Sequence, residues 1–231
     1  MGLLDCLLEH HLGMFLDSHL PSPIIYGALV GARPKTQVLD VTHVLQTAVE
    51  KAIDTKSQGA VAQADVEKYY DSLSILRLTR WLESEGYDVA VLCAILRHQV
   101  FSSLFISLTR ASDGVSIQNR CIGGLTGSRV AVSLARVPVE TTIIHFAEAW
   151  QSKGFLHQIS VCSWVDNLFA LADSCAGAIS ILEEAETYLN EVWGLQFKAS
   201  SLETMAVWGA VEELDIPARW RQVETMKTLG H

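Results

Sequence analysis

The chain has 231 residues, 49% of them apolar and 19% charged, with 5 prolines, a composition that excludes disordered, collagen-like and low-complexity chains and supplies a core for one domain or a domain and a half. Seventeen Lys and Arg against 26 Asp and Glu leave a net charge of −9, which excludes a uniformly basic surface of the kind that tracks a phosphate backbone. The 5 cysteines contain no Cys-x-x-Cys pair, so neither a disulfide framework nor a zinc site is readable, and a reducing, intracellular location follows, nucleus and cytoplasm not being distinguished.

The N-terminus lacks the basic n-region of a signal peptide, and Cys6 stands where a myristoylation motif wants Ser or Thr. Leu3, Leu4, Leu7, Leu8, Leu12, Phe15 and Leu16 recur at helical spacing until Pro21 and Pro23 stop the pattern. A stretch rich in Gly, Pro and Lys, 27–36, reads as a loop; Val38, Val41, Leu45, Ala48, Val49 and Ile53 then predict a second helix, and 59–66 a strand. Helical patterns follow at 72–83 and 88–108. The second is interrupted by Arg97-His98-Gln99, costly in a bilayer and ordinary in a buried helix, so no membrane partner is expected. A β-rich run at 115–122 precedes the glycine turn 123–127, and the long helix leaving that turn contains Pro138, which predicts a kink. Two short apolar runs, 158–165 and 168–172, are separated by Asp166-Asn167, a pair tolerant of positive φ and suited to a two-residue hairpin turn. A helix at 176–192 ends before Gly194, and short strands fill the remainder. Strands and helices mix without a βαβ alternation, which predicts an α+β fold, an antiparallel sheet with helices packed on one face.

Asp65 ends a predicted strand and Asp166 tops the predicted hairpin. If those strands are neighbours their carboxylates converge, and one or two carboxylates completed by waters and substrate phosphates are what Mg²⁺ takes. Two such ions, ~3.5–4 Å apart, stabilise the attacking and leaving oxygens of an in-line phosphoryl transfer. An Asp at a strand end is also commonplace in a chain with 26 acidic residues. The glycine turn is too short for a phosphate-binding loop and lacks its Lys, and no Gly-x-Ser-x-Gly elbow exists to expose a nucleophilic serine.

The series Asp65-Val-Glu-Lys-Tyr-Tyr-Asp71, the turn ending Thr126-Gly127-Ser128, and Trp164-Val-Asp166-Asn167 resembles motifs A, B and C of reverse transcriptases, in order. The version it most resembles is that of non-LTR, LINE-type retrotransposons. Tyr26-Gly27 with Gly31-Ala-Arg33 and Asp40 resembles the segment that precedes motif A. Gly194-Leu-Gln-Phe-Lys198 through Met205 resembles motif D, and Met226 to His231 the segment after it. The resemblance implies a polymerase palm over 59–231, with partial, helical fingers over 1–58 and no thumb. It implies an RNA-directed DNA polymerase that adds deoxynucleotides to a primer 3′ end, with an RNA template, a DNA primer and dNTPs as partners and two Mg²⁺ (or Mn²⁺) ions as cofactors. It says nothing of oligomeric state.

Carried over residue by residue, the resemblance implies that Asp65 and Asp166 hold the metal ions, with Asn167 beside them in the catalytic motif and the Val66 carbonyl as an extra ligand. Tyr70 becomes a steric gate whose ring collides with a ribose 2′-OH; the alternative is a half-buried helix aromatic. Lys68 contacts the incoming triphosphate or is a surface lysine, and Gly127 lets the backbone approach nucleotide and template or is a plain turn glycine. From Arg97 to Arg136 there are five arginines (97, 110, 120, 129 and 136) and one acid, Asp113. Arg120 and Arg129 are therefore candidate nucleic-acid contacts within a local basic stripe; scattered solvated arginines are the alternative. Three positions depart from the family. Asn167 replaces the second Asp of motif C, Thr126 and Arg129 replace the Gln and Pro of motif B, and Ser201 stands at the motif D lysine, leaving Lys198 as the cation. These departures keep open an inactive palm remnant that serves as an interaction module.

Overall fold

A computed structural model describes residues 2–22, 27–31, 33, 35–100, 104–106, 115–117, 122–124, 128–153, 160–208 and 216–226. In chain order its elements are helix α1 (Leu3–His19), strand β1 (Ala28–Val30), α2 (Val38–Thr55), β2 (Gly59–Asp65), α3 (Tyr69–Ser72), α4 (Ile75–Ser84), α5 (Val89–Gln99), β3 (Leu104–Ile106), β4 (Val115–Ile117), α6 (Arg129–Lys153), β5 (Val161–Trp164), β6 (Asn167–Ala172), α7 (Cys175–Tyr188), β7 (Glu203–Trp208) and β8 (Arg221–Gln222). They divide into two compact units, Met1–Leu20 with Lys68–Val137, and Pro21–Glu67 with Pro138–His231.

The second unit holds a six-stranded sheet in the order β1-β5-β6-β2-β7-β8. Its centre is antiparallel, while β1 joins β5 and β8 joins β7 in parallel. Strand alternation sorts the side chains. Val61, Cys162, Phe169 and Leu171 share one face and pack under Val41, Leu45 and Ala52 of α2. Ala60, Ala62, Ala64, Ala170 and Ala172 line the opposite face, where their small side chains let α7 come close: a Cβ on Gly177 would lie 3.2 Å from the Ala172 Cβ. The α+β sheet anticipated from the pattern is present, with helices on both faces rather than one. Strand β1 lies inside the stretch expected to be loop, because three residues are too few to show a period.

Trp150 Nε1 on α6 donates to Glu184 Oε2 on α7 at 2.9 Å, tying the two helices. Helix α6 continues through Pro138, whose carbonyl accepts the Thr141 and Thr142 hydroxyls at 3.1 and 2.7 Å. Its stretch 129–152 is the one, among the described residues, long and apolar enough to cross a membrane, and 72% of its most apolar window is buried in the protein, as for a core helix. Helix α7 passes into a π-helical turn, Leu189–Trp193, closed by Gly194 in the left-handed region.

The first unit is mainly helical. Helix α1 buries Leu8, Leu12 and Leu16. Ser74 and Asp88 cap α4 and α5 with their side chains. The helix expected to reach 108 stops at Gln99, and Leu104–Ile106 pairs instead with Val115–Ile117. A short apolar run fits either period, and here an available strand partner decides. Buried Tyr69 donates its hydroxyl to the Ala135 carbonyl.

Asp5, on the buried face of α1, meets the start of α6. Burial works against its ionisation, but hydrogen bonds from Ser128 Oγ (2.7 Å) and the Arg129 N–H (3.2 Å), with His98 Nε2 at 3.7 Å, hold its carboxyl below the usual range. A depressed acid stabilises the fold above its unfolded pKa, and that contribution is lost as pH falls through the folded value. Asp5→Ala should therefore cost about 1–3 kcal/mol at pH 7, the range for orphaned buried donors. Urea unfolding at pH 7 and pH 3 checks this; the difference from wild type should shrink at the lower pH.

Candidate active site at the end of the central strands

The β2–β6 register runs from Ala60 opposite Ala172 to Asp65 opposite Asn167. Because β5 pairs with β6 from Trp164 opposite Asn167, the two residues of the hairpin turn are Val165 and Asp166. The turn expected at Asp166-Asn167 is thus displaced, and Asn167 is the first residue of β6. Both turns would leave the same side chains on the same faces, so burial does not choose between them. Tertiary bonds do: the Val66 N–H donates to the Asp166 carbonyl at 2.9 Å. The consequence is strain. Val165, a β-branched residue, has φ 56°, a left-handed conformation at the first turn position that favours glycine and costs of order 1–3 kcal/mol.

This register brings the Asp65 and Asp166 carboxylates within hydrogen-bonding reach. Asp65 is pinned through its backbone. Its N–H donates to Ser201 Oγ at 2.9 Å, its carbonyl accepts from the Lys198 N–H at 2.8 Å, and the Ser201 hydroxyl donates onward to the Lys198 carbonyl at 2.7 Å. Burial first, and then the charge of Asp166, push Asp65 up to about 6, against the opposing charge of Lys198. Asp65 Oδ1 is buried with no hydrogen-bond donor. A hard anionic oxygen without a donor, beside a second carboxylate, fits a divalent cation. Among the described residues no group of three His, Cys, Asp or Glu is gathered, so the protein would offer two carboxylates and leave other positions to backbone, water and substrate oxygens, as Mg²⁺ accepts.

The other expected residues are placed as follows. Val66 is buried, its N–H committed to Asp166. Lys68 and Tyr70 belong to the first unit. Lys68 is exposed with φ 47°, and half-buried Tyr70 accepts the Gly124 N–H on its carbonyl at 2.8 Å. Gly123, at φ 92°, packs over Asp71, where a Cβ would meet the carbonyl at 3.3 Å. Gly123 and Gly124 therefore rest on Tyr70 and Asp71. Gly127, Thr126 and Arg120 lie outside the described residues, as does Arg110. Arg129 and Arg97 are exposed, but Arg136 is buried and bonded to Asp17 at 2.8 Å. That withdraws Arg136 from the expected basic stripe, since a guanidinium in a buried pair is not presented to a phosphate. Sequence reasoning marked Ser201 only as a missing lysine and did not foresee its backbone role. The signal was its spacing from Lys198, which a short helical turn, Ala199–Ser201, converts into proximity.

No protein-family model and no curated protein sequence matches the chain. Solved structures do. Apo telomerase from Candida tropicalis, truncated from its C-terminal domain, is 9% identical with a TM-score of 0.57, over 92% of this chain and 41% of that one. Another apo telomerase structure from Candida tropicalis gives 9% and 0.59, over 89% and 36%. Telomerase from Candida albicans, in complex with a TWJ fragment of telomeric RNA, gives 11% and 0.54, over 88% and 35%. The chain thus shares its fold with these telomerase structures, with a palm-like sheet. The chain spans about two fifths or less of the length of these telomerases.

Asp65 has a folded pKa near 6 against an ordinary 3.8, so the folded state binds more protons across that interval and stability falls as pH rises from about 4 to 6. Asp65→Asn removes the repulsion. In metal-free buffer at pH 7.5 it should melt higher than wild type, and its Tm should lose much of the decline between pH 4 and 6; calorimetry across that range checks both.

Proposed function

We propose that this chain is the palm, with partial fingers, of a reverse transcriptase of the non-LTR, LINE type, extending a DNA primer with deoxynucleotides on an RNA template. The observation that carries the reading is the meeting of Asp65 and Asp166 at the end of adjacent palm strands, with a buried carboxylate oxygen left without a donor. In the reaction the primer 3′-hydroxyl gives up its proton to water, its oxygen bonds to the α-phosphorus, and the bond from that phosphorus to the bridging oxygen breaks as pyrophosphate leaves. Two Mg²⁺ or Mn²⁺ ions, when bound, neutralise charge on the attacking and leaving oxygens. The chain's own part is to hold and orient. Asp65 and Asp166 are the ligands, fixed by the backbone bonds around them, and the Val66 carbonyl is a further one. Lys198, whose charge already acts on Asp65, is the cation for the leaving pyrophosphate. Tyr70 excludes the 2′-OH, Lys68 meets the triphosphate, Gly127 admits the backbone of nucleotide and template, and Arg120 and Arg129 take nucleic-acid phosphates.

A second reading, an inactive palm that serves as an interaction module, is favoured by Asn167, a neutral amide in register with Asp65. Metal binding and primer extension separate the two. Millimolar Mg²⁺ should raise the Tm of wild type and leave Asp65→Ala unchanged; slow dNTP incorporation on a primed RNA template should vanish in that variant. Asn167→Asp should tighten Mg²⁺ roughly tenfold, about 1.4 kcal/mol, and increase incorporation. A Mg²⁺ shift that survives Asp65→Ala would sink the metal site. Metal binding with no incorporation by either wild type or Asn167→Asp would favour the second reading.

A further inference from the structure

We infer that Gly31 and Arg33 form a clamp that positions Asp166 for metal binding; as a statement about catalysis this rests on the reading of Asp166 as a ligand. Gly31 extends the β1–β5 pairing by one residue, its N–H donating to the Ser163 carbonyl at 2.7 Å. A Cβ there would lie 2.2 Å from Trp164 Cε3, 3.0 Å from Cδ2 and 2.9 Å from the Ser163 oxygen. Its φ is outside the left-handed region, so glycine is required for space: the indole of Trp164 occupies the place of a side chain. Two residues on, Arg33 grips Glu140 with both ends of its guanidinium, Nε to Oε1 at 3.0 Å and Nη2 to Oε2 at 2.8 Å, and also donates from Nη2 to the Pro21 carbonyl at 3.1 Å. Glu140 is fully buried, and a buried carboxylate stripped of its partner is strongly destabilising, so this segment is held in place.

The clamp acts on the turn through Trp164. That residue pairs with Asn167 across the two-residue turn, and Val165 between them holds a φ of 56°. Such a conformation persists only where the surroundings over-determine it. Gly31 and Arg33 fix one stem of the turn, and the bond from Val66 N–H to the Asp166 carbonyl fixes its tip.

The test is Gly31→Ala, read by amide exchange at Val66, whose N–H bonds the Asp166 carbonyl, and by Mn²⁺ binding. Protection at Val66 should fall at least tenfold and Mn²⁺ should bind at least tenfold more weakly, with protection at 61–64 unchanged within twofold. Trp164→Val in the same background should recover part of both losses, since it removes the ring and leaves the close Ser163 oxygen. Arg33→Lys should move both readouts the same way as Gly31→Ala, an ammonium being unable to make the two-pronged pair. Unchanged Val66 protection and Mn²⁺ affinity in Gly31→Ala would overturn the clamp. If Gly31→Ala fails to fold, the double variant must fold, and one that stays unfolded overturns it equally. A wild type that binds no Mn²⁺ refutes the metal reading, and the exchange result then judges the clamp by itself.

Discussion

Two carboxylates within hydrogen-bonding reach repel each other once both are ionised, and the backbone around Asp65 and Asp166 keeps them from separating. Bonds from Asp65 N–H to Ser201, from Lys198 N–H to the Asp65 carbonyl, from Val66 N–H to the Asp166 carbonyl and from Glu67 N–H to the Gln196 carbonyl fasten β2 to its neighbours on both sides. Each contributes about 1 kcal/mol, and together they hold a like-charge pair and a left-handed valine in place. The arrangement is locally unfavourable and globally enforced, which is the condition under which strain points to function. A proton relieves it at low pH. A divalent cation would relieve it near neutrality, because a positive charge between the two carboxylates offsets their repulsion.

The sheet is built to deliver this pair. Along β2 the residues sharing a face run Val61, Gln63, Asp65, so the face passes from the apolar packing under α2 to the polar end of the strand. Gln63 donates to Glu203, which in turn pairs with Arg221, so the polar side chains next to the site are engaged across β7 and β8. The other face is a carpet of alanines against α7. A rigid interior of small residues transmits register faithfully, because sliding β2 against β6 by one residue would exchange alanines for Val61 and Gln63 on every row.

Strand β2, helix α2, strands β5 and β6 and helix α7 were legible because their apolar periods are clear. The two aspartates became legible only as members of an ordered series of motifs. What the sequence concealed was mostly long-range. The exact turn residues depended on a bond from Val66, not on local preference for positive φ. The burial of Arg136 depended on Asp17, 119 positions away, and the pair between Arg33 and Glu140 spans 107. Ser201 read as an absence, a lysine missing from its place, when its hydroxyl is what holds the Asp65 backbone. Local pattern cannot reveal a partner that only tertiary structure supplies.

Asn167 illustrates how far the geometry revises a reading based on motifs. As a turn residue it would be a lost ligand and little else. As the first residue of β6, in register with Asp65 and sharing its face, it adjoins the repelling pair. A third carboxylate there would add its charge to a strand end already burdened by two, with the Lys198 cation acting on Asp65 from the other side of the balance. The amide removes that burden while keeping an oxygen that can accept or ligate. An amide at this position therefore spares the strand end a third negative charge, which favours the stability of the fold, and on the proposed reading of the site it does so at the expense of attraction for a cation.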